Sequence, residues 1–240
     1  MSATPRQSSS VCYVLREDPD LADGLEPDLR AQATEALVAR EIQIPAGPWR
    51  PQRPPGIQEG LGMLVIKGVL IRRSGVDKRF GAELLGVGDV LRPPYGPDES
   101  ALSITVNWFV LEPSRLAVLD ERFVRQLAHF PQLAGRLFSR AVDRSRQLGV
   151  NMAIVHQARV DVRLHMLFWH LAGRWGKVRS DGVLIPLRLT HVLLADLVAA
   201  RRPTVTSALS DLGRRGVVRP VPEGWLLSGD PPASVSPDST

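Results

Sequence analysis

Arginines and hydroxyl-bearing side chains cluster near the carboxyl end of the sequence, in residues 189–227, which read LTHVLLADLVAARRPTVTSALSDLGRRGVVRPVPEGWLL. A guanidinium group presents five donors in a planar fork that fits phosphate oxygens and the O6 and N7 atoms of guanine. Hydroxyl groups can bond phosphates or contact a thymine methyl. This segment is therefore predicted to bind double-stranded DNA. The predicted contacts are Arg201, Arg202, Thr204, Thr206, Ser207, Arg214, Arg215 and Arg219.

Two short helices must position these side chains. Thr190 is a favourable N-cap for the first helix, and leucines at positions 193, 194 and 197 give that helix an apolar face. Small residues at positions 195, 199 and 200 permit a sharp turn. The second helix begins at Arg202 or Thr204, with Pro203 in its first turn, where a missing N–H costs nothing.

The second helix is predicted to end at Gly213 or Gly216, and residues 217–219 and 225–227 then form a β-hairpin, or wing. A helix that enters a major groove amino end first places its first-turn side chains at base edges. Arg202 is expected to bind guanine there, whereas the three later arginines add affinity through the DNA backbone. An alternative is that the arginine-rich pair of helices is a solvated face or a protein-docking module.

A long helix is predicted before this segment. Asp120 can cap a helix, and Pro131 suits the first turn of a second, longer one. Within the longer helix, six residues recur at steps of 3, 4, 3, 4 and 3, which is a heptad seam able to pair with a second subunit. The alternative is that this stripe packs on the β-rich part of its own chain. The predicted dimer-interface residues are Phe138, Ala141, Ser145, Leu148, Met152 and Val155.

The amino-terminal half has a β-rich pattern. A short helix near residues 29–40 is expected to precede a strand at Ile42–Ile44, and short β runs separated by turns fill residues 61–119. This spacing favours a sandwich or roll over βαβ units. Residues 1–10 and 229–240 are rich in Ser and Pro and are predicted to be disordered tails.

The composition excludes several kinds of site. The net charge is +5, and Cys12 is the single cysteine, so intrachain disulfides and Cys-rich zinc sites are excluded. The five histidines lack Cys or carboxylate partners at ligand spacing, and no G-x-S-x-G or HExxH motif is present. We therefore expect no enzyme, no cofactor and no metal. No stretch approaches the ~20 apolar residues of a membrane span, and a cytoplasmic protein is expected.

The carboxyl-terminal motif resembles the winged helix-turn-helix of the Crp/Fnr regulators, the family of the cyclic-AMP receptor protein. Residues 159–176, RVDVRLHMLFWHLAGRWG, look like the hinge and first helix of that domain, with Asp161 at the hinge. The preceding long helix is similar to the family's dimerisation helix. KGVLIRR and LLGVGDVL look like strands of its amino-terminal β-roll, with a Gly-Asp turn at Gly88 and Asp89.

The resemblance implies an α+β architecture: a β-roll of the cyclic-nucleotide-binding, jelly-roll type, a long dimerisation helix and a winged helix-turn-helix. The implied boundaries are residues 11–130 for the β-roll, 131–158 for the helix and 159–228 for the DNA-binding domain. Arg202 matches the family's base-reading arginine, but Pro203 replaces the usual acidic residue and Ser207 replaces a later arginine. The preferred operator should therefore differ from the family's best-known site.

The effector pocket departs further from the family. Arg92 and Pro93 stand where a Gly-Glu pair is expected, and no arginine follows until Arg115. Val150 and Asn151 stand where a Thr-Ser pair would contact the base. A phosphate without an arginine partner loses its main charge compensation. We therefore expect no cyclic AMP binding through the usual residues. Arg92 is interpreted as an exposed loop arginine, with a relocated phosphate ligand as the alternative.

The sequence thus predicts a homodimeric, sequence-specific transcriptional regulator. Two recognition helices related by a two-fold axis should read a pseudo-palindromic operator, with half-sites about 34 Å apart. RNA polymerase is a candidate partner, no membrane partner is expected, and the sequence identifies no effector. Two alternatives stay open: a small-molecule or nucleotide sensor with a non-standard effector pocket, and a protein-interaction adaptor that has kept the fold without binding DNA.

Overall fold

The computed structural model describes residues 10–77, 79–94 and 102–232. Most of the two predicted tails lies outside these ranges, although Ser10 already belongs to a strand. The chain divides into two compact units, one within residues 1–78 and 83–147 and the other within residues 79–82 and 148–240. Among the described residues, no helix combines the length and the apolar character needed to cross a membrane.

The first unit is built on an antiparallel sheet in the order β1-β2-β7-β4-β5, with β3 paired to β7 and β6 paired to β4. The two longest strands, β4 and β7, pair from Gly62 opposite Leu119 to Gly75 opposite Thr105. The β runs predicted between residues 61 and 119 are confirmed. The strands are β1 Ser10–Tyr13, β2 Val38–Ile44, β3 Gly47–Trp49, β4 Gly62–Val76, β5 Arg79–Leu85, β6 Val90–Leu91 and β7 Thr105–Leu119.

Alternation along the strands divides the core of this unit into two clusters, because successive side chains point to opposite faces of a sheet. Met63 and Val65 join a cluster around Trp108, whose ring meets Trp49 edge to face at 5.8 Å. Leu64 belongs to the other cluster, which includes residues of the flanking helices. These helices are α1 Val14–Glu17, α2 Pro27–Ala36, α3 Glu121–Leu127 and the start of α4 Pro131–Val155.

The helix expected up to Arg40 ends earlier than predicted. α2 stops at Ala36, and β2 begins at Val38 rather than at Ile42. Residues 38–41 pair with β1, where Tyr13 lies opposite Val38 and Ser10 lies opposite Glu41. This sheet pairing satisfies the backbone groups of residues that have helical propensity, and pairing over such a distance in sequence leaves no local signal.

The two helices predicted after the sheet are confirmed, although the second ends at Val155 rather than at residue 158. The carboxylate of Asp120 accepts N–H groups of Arg122 and Phe123 and caps α3. Pro131 is the first residue of α4, where its missing N–H leaves no bond unmade. α4 has 25 residues and is therefore about 37 Å long.

The second unit packs three helices with a four-stranded antiparallel sheet in the order β10-β11-β9-β8. Phe168 of the first helix and Trp225 of the sheet lie 5.0 Å apart between ring centres in its core. The sequence predicted the β10–β11 hairpin but not β8 and β9. The elements are α5 Val160–Trp175, β8 Lys177–Arg179, β9 Gly182–Ile185, α6 His191–Leu197, α7 Arg202–Arg214, β10 Val218–Val221 and β11 Gly224–Leu227.

Candidate DNA-binding interface

α6 begins as its sequence predicts. The hydroxyl of Thr190 accepts the N–H of Leu193 at 3.3 Å, which satisfies one of the unpaired donors in the first turn. Leu193, Leu194 and Leu197 are buried in the second unit. The amphipathic pattern therefore holds α6 against the core, and it sets the starting point of the turn that leads to α7.

The turn between α6 and α7 contains a non-glycine residue in the left-handed region, Ala199, with φ of +49°. The N–H of Ala200 reaches back to the carbonyl of Ala195 at 2.9 Å, and the N–H of Val198 reaches that of Leu194 at 3.0 Å. These bonds close the end of α6 tightly. The left-handed conformation costs an alanine roughly 1–2 kcal/mol because Cβ crowds the following carbonyl.

Replacing Ala199 by Gly should therefore raise the free energy of unfolding by about 0.5–1 kcal/mol, since relief of the strain exceeds the added freedom of the unfolded chain. Chemical denaturation of the two proteins measures the difference. Ala200→Gly is the matched control, because Ala200 is not in the left-handed region, and it should give no gain. Equal or lower stability of Ala199→Gly would contradict the assignment of strain to this residue.

α7 begins at Arg202 with Pro203 in its first turn, as the first of the two predicted alternatives has it. Val205, Leu209 and Leu212 are buried, whereas residues 201–204 are all exposed. The helix ends through Gly216, whose φ is +71°. The N–H of Val217 bonds the carbonyl of Leu212 at 3.1 Å, and that of Gly216 bonds the carbonyl of Gly213 at 3.0 Å, which is a Schellman ending.

The amino-terminal end of α7 carries five of the predicted contacts, and all five are exposed. We call this group the reading end. Its arginines form no ion pair among the described residues, so their donors are free for a ligand. Two of its three hydroxyls are engaged locally: Thr206 donates to the carbonyl of Arg202 at 3.1 Å, and Ser207 donates to that of Pro203 at 3.2 Å. The members of the reading end are Arg201, Arg202, Thr204, Thr206 and Ser207.

His191 is a contact of the reading end that the sequence did not reveal. Its Nδ1 lies 3.0 Å from Oγ1 of Thr206. Because that hydroxyl donates its proton to the carbonyl of Arg202, the contact fits the imidazole tautomer that carries a hydrogen on Nδ1, with Oγ1 as the acceptor. A hydrogen bond therefore joins the first residue of α6 to the second turn of α7. A histidine fifteen residues from its partner in sequence gives no motif that could have predicted this bond.

The other three predicted contacts lie in ion pairs. Arg214 meets Asp211 at 3.1 Å, and Arg219 meets Asp181 at 3.1 Å. Arg215 lies 3.2 Å from Asp211 and 3.5 Å from Asp161. We call Arg214, Arg215 and Arg219 the paired arginines. Their positive charge is largely compensated in the free protein, although exposed pairs of this kind are weak and exchangeable.

Asp161, the predicted hinge residue, lies in the first turn of α5. Its carboxylate accepts Nε and Nη2 of Arg159 at 3.1 and 2.8 Å. Hydrogen bonding from Arg159 holds the pKa of Asp161 below its usual range, and the N–H of Val162 adds to this effect. A carboxylate at this place is also favoured by the helix dipole. Its role as a hinge stays a prediction.

The predicted Gly-Asp turn is present in the first unit. Gly88 has a φ of +89°, and the carboxylate of Asp89 accepts the N–H of Gly86 at 2.8 Å. Arg92 is exposed and donates to the carbonyl of Gln58 at 2.7 Å. Arg115 is held by two carboxylates, those of Glu17 at 2.8 Å and Glu41 at 2.7 Å. The exposure of Arg92 fits the predicted loop arginine, and Arg115 is held by its two carboxylates. Residues 95–101 of the same stretch lie outside the described ranges.

Sequence reasoning missed an ion cluster in the same unit. Oε1 of the buried Glu83 lies 2.5 Å from Nε of Arg72 and 2.7 Å from Nη2 of Arg144. Arg144 also donates to the carbonyl of Val90 at 2.8 Å. One turn earlier on α4, Arg140 holds both oxygens of Asp18, one of them at 2.9 Å. Arginines four residues apart on α4 were the available signal, since i and i+4 share a helix face.

The histidines of α5 have ordinary structural contacts. Nε1 of Trp169 donates to Nε2 of His165 at 3.1 Å, and burial lowers the pKa of both His165 and His170. Within the described part of the chain, no group of three His, Cys, Asp or Glu side chains is placed to hold a metal ion.

Comparison with known proteins agrees with this geometry. Residues 162–228 match the family model described as the Crp-like helix-turn-helix domain. Several solved structures have similar folds, and they include the following three. A CooA variant from Carboxydothermus hydrogenoformans is 17% identical with a TM-score of 0.62, and the match covers 94% of each chain.

The other two structures are the regulator CLP from Xanthomonas campestris and FixK2 from Bradyrhizobium japonicum. CLP is 19% identical with a TM-score of 0.56, over 80% of this chain and 95% of that one. FixK2 is 15% identical with a TM-score of 0.57, over 80% and 93%. The comparison with curated proteins gave no match. Residues 162–228 thus form a Crp-like helix-turn-helix domain, and the chain has the fold of the Crp/Fnr regulators.

Proposed function

We propose that the protein is a sequence-specific, DNA-binding transcriptional regulator of the Crp/Fnr type that acts as a homodimer. One observation carries the proposal: the reading end of α7 is exposed and held on a packed core, and its arginines are unpaired among the described residues. Unpaired arginines in the first turn of a helix of this kind are suited to guanine edges and flanking phosphates. An adaptor without DNA binding has no comparable observation in its favour.

The exposed side of α4 supports the homodimer. Phe138 and Met152 are 71% and 62% exposed, although both are large and apolar. Ala141 and Ser145, which lie on the same heptad seam, are also exposed. The alternative, that the stripe packs on its own β-rich unit, does not fit this exposure: the residues of α4 that join the core of that unit are Leu133 and Leu137. Leu148 and Val155, the remaining apolar members of the seam, are half-buried. Large apolar side chains exposed on one face of a helix are typical of a protein interface, and a second copy of α4 is the partner that fits a heptad seam.

The dimer determines the form of the proposed operator. Two α7 helices related by a two-fold axis would meet a pseudo-palindrome whose half-sites are about 34 Å apart, or one helical turn of DNA. RNA polymerase is the further partner that we propose for a regulator bound at such a site. The proposal does not include cyclic AMP bound through the family's usual residues, because Arg92 and Pro93 stand where the Gly-Glu pair is expected. The next arginine in the sequence, Arg115, is paired with Glu17 and Glu41.

The test is a substitution of Arg202 by Ala after selection of an operator from a random DNA pool. The change should weaken binding to the selected operator by about 1–3 kcal/mol, because a bidentate contact to guanine is lost. Fluorescence anisotropy at one fixed salt concentration measures the affinity, and footprinting shows which bases are protected. Non-specific binding should change much less, since one arginine contributes little to it.

Arg214→Ala is the matched control on the same helix. Arg214 is paired with Asp211 and lies twelve residues, or about 18 Å, from Arg202. Its loss should reduce specific and non-specific affinity by the same factor, below about threefold. Equal footprints of the wild type and Arg202→Ala on the selected operator would refute the base-reading role. Failure to enrich any sequence from the pool would refute the proposed function.

A further inference from the structure

Arg163 of α5 lies at the turn between α6 and α7, and its guanidinium donates to three backbone carbonyls. Nη1 is 3.1 Å from the carbonyl oxygen of Val198 and 3.4 Å from that of Ala199. Nε is 2.6 Å from the carbonyl oxygen of Gln157. All these residues belong to the second unit. Arg163 thus touches the turn that leads directly to the reading end.

Two of these carbonyls need a partner. Val198 and Ala199 follow the last residue of α6, and carbonyl groups at the end of a helix receive no N–H donor from the helix itself. Because the carboxyl end of a helix carries partial negative charge, a cation is favoured there. The left-handed φ of Ala199 points its carbonyl in a direction that an alanine does not adopt by default. The two donors of Arg163 stabilise this conformation of the turn.

The conformation of the turn fixes the direction of α7. Only Ala200 and Arg201 separate Ala199 from the first residue of α7. A rotation of the backbone at Ala199 therefore moves Arg202 relative to the rest of the unit. A bidentate bond to a base edge weakens steeply with distance and angle. A small displacement of Arg202 should therefore reduce the preference for one DNA sequence. It should have less effect on the general attraction between the protein and phosphates.

The third carbonyl links the turn to the end of α4. Gln157 lies in the segment between α4 and α5, two residues after Val155. One planar guanidinium holds this segment and the turn at once, through Nε and Nη1. The ammonium group of a lysine at the same position is a single point donor and cannot reproduce the geometry of the fork.

We infer that Arg163 is a positioning residue for operator recognition, which touches no DNA itself and sets the direction in which α7 presents Arg202. The inference rests on the proposed function. It assigns a role in sequence reading to a residue on α5, outside the two helices α6 and α7, and it predicts that specificity and stability separate when this residue is changed.

The test compares Arg163→Met and Arg163→Lys with Arg174→Met. Arg174 lies on the same helix, is exposed, and stacks over Trp175 with its guanidinium carbon 4.7 Å from the ring centre. Each variant is titrated by fluorescence anisotropy with the selected operator and with an unrelated duplex of equal length. The salt concentration is fixed, and the temperature is at least 20 °C below the melting midpoint of the least stable variant.

Arg163→Met should lower the affinity for the operator at least tenfold and the affinity for the unrelated duplex less than twofold. Arg163→Lys should lie between Arg163→Met and the wild type, and Arg174→Met should match the wild type. If Arg163→Met does not fold, the ratio of the two affinities for Arg163→Lys decides the matter. An unchanged ratio in the folded Arg163 variants, even with a lower melting midpoint, would overturn the inference and leave the proposed function standing. No preference of the wild type for any enriched sequence would overturn both.

Discussion

Phe138→Asp should convert the protein from a dimer to a monomer and lower its affinity for a palindromic operator by about 10²–10⁴-fold. Phe138 is the most exposed of the large apolar residues on the seam of α4, at 71%. In the proposed dimer its ring is covered by the second α4, and a carboxylate there would be buried without a partner. The affinity falls because each monomer then binds one half-site without the help of the other.

Sedimentation equilibrium and anisotropy titrations measure the two consequences on the same samples. Ser139→Asp is the matched control, since it adds the same charge one residue away, at an exposed position off the seam. It should stay dimeric and bind the operator like the wild type. Phe138→Leu keeps an apolar side chain and should also stay dimeric. A Phe138→Asp protein that is still dimeric, with unchanged operator affinity, would contradict the α4 interface.

The same seam contains one polar position, Ser145, which lies one heptad, or seven residues, after Phe138. A polar residue at a core position of a coiled coil contributes less to stability than an apolar one but can fix register. Register matters for the proposed function, because a shift of one helix along the other would change the spacing of the two reading ends. The stripe therefore combines two requirements of an operator-binding dimer, association and fixed geometry.

The helix-turn-helix could be predicted from the sequence because its signals are local. Thr190 caps the helix that it precedes, and Pro203 occupies the first turn of the helix that it opens. The buried faces of α6 and α7 repeat with the period of the helix itself. Each of these features depends on residues within four positions of one another. The turn at Ala199 could be predicted only in part. Small residues indicated a turn, but they did not indicate that Ala199 adopts the left-handed backbone conformation.

The strands β8 and β9 could not be predicted, because they lack local signals of this kind. All three residues of β8, Lys177–Arg179, are exposed, so the strand has no alternation of apolar and polar side chains. β9 pairs with β11, where Ile185 lies opposite Trp225, forty residues later in the chain. A strand specified by so distant a neighbour carries little local signal. The winged domain therefore has a larger sheet than the hairpin that its sequence indicates.

The pairing of the later arginines was hidden only in part, because Asp211 precedes Arg214 and Arg215 by three and four residues on the same helix. Charges alone predicted that Arg214, Arg215 and Arg219 would face the DNA backbone. Their carboxylate partners include Asp161 and Asp181, which are 54 and 38 residues away from Arg215 and Arg219. The fold thus distinguishes two kinds of arginine that look alike in the sequence. Those of the reading end are unpaired among the described residues, whereas the paired arginines would have to exchange an aspartate for a phosphate to make the contacts predicted for them.

The first unit contains a feature that its local sequence does not predict, which is a buried carboxylate on β5. Glu83 is 7% exposed and accepts from Arg72 and Arg144 through the same oxygen. Burial lowers the pKa of Arg72, and Glu83 opposes that effect. A charge taken out of water is costly unless it is paired, so the three groups depend on one another. The cluster also ties α4 to the sheet of this unit, since Arg144 belongs to that helix.

Glu83→Gln should therefore destabilise the protein by about 3–5 kcal/mol, because it leaves two half-buried guanidinium groups without their counter-ion. For a chain of this size the melting midpoint should fall by about 6–20 °C. Glu112→Gln is the control: it removes the same charge from an exposed position on β7 and should change stability by less than about 0.5 kcal/mol. The double variant Glu83→Gln with Arg144→Gln should lose less than the two single losses combined, since both remove one shared interaction. If the stability of Glu83→Gln is within 0.5 kcal/mol of that of the wild type, the charge of Glu83 does not stabilise the fold and the prediction is wrong.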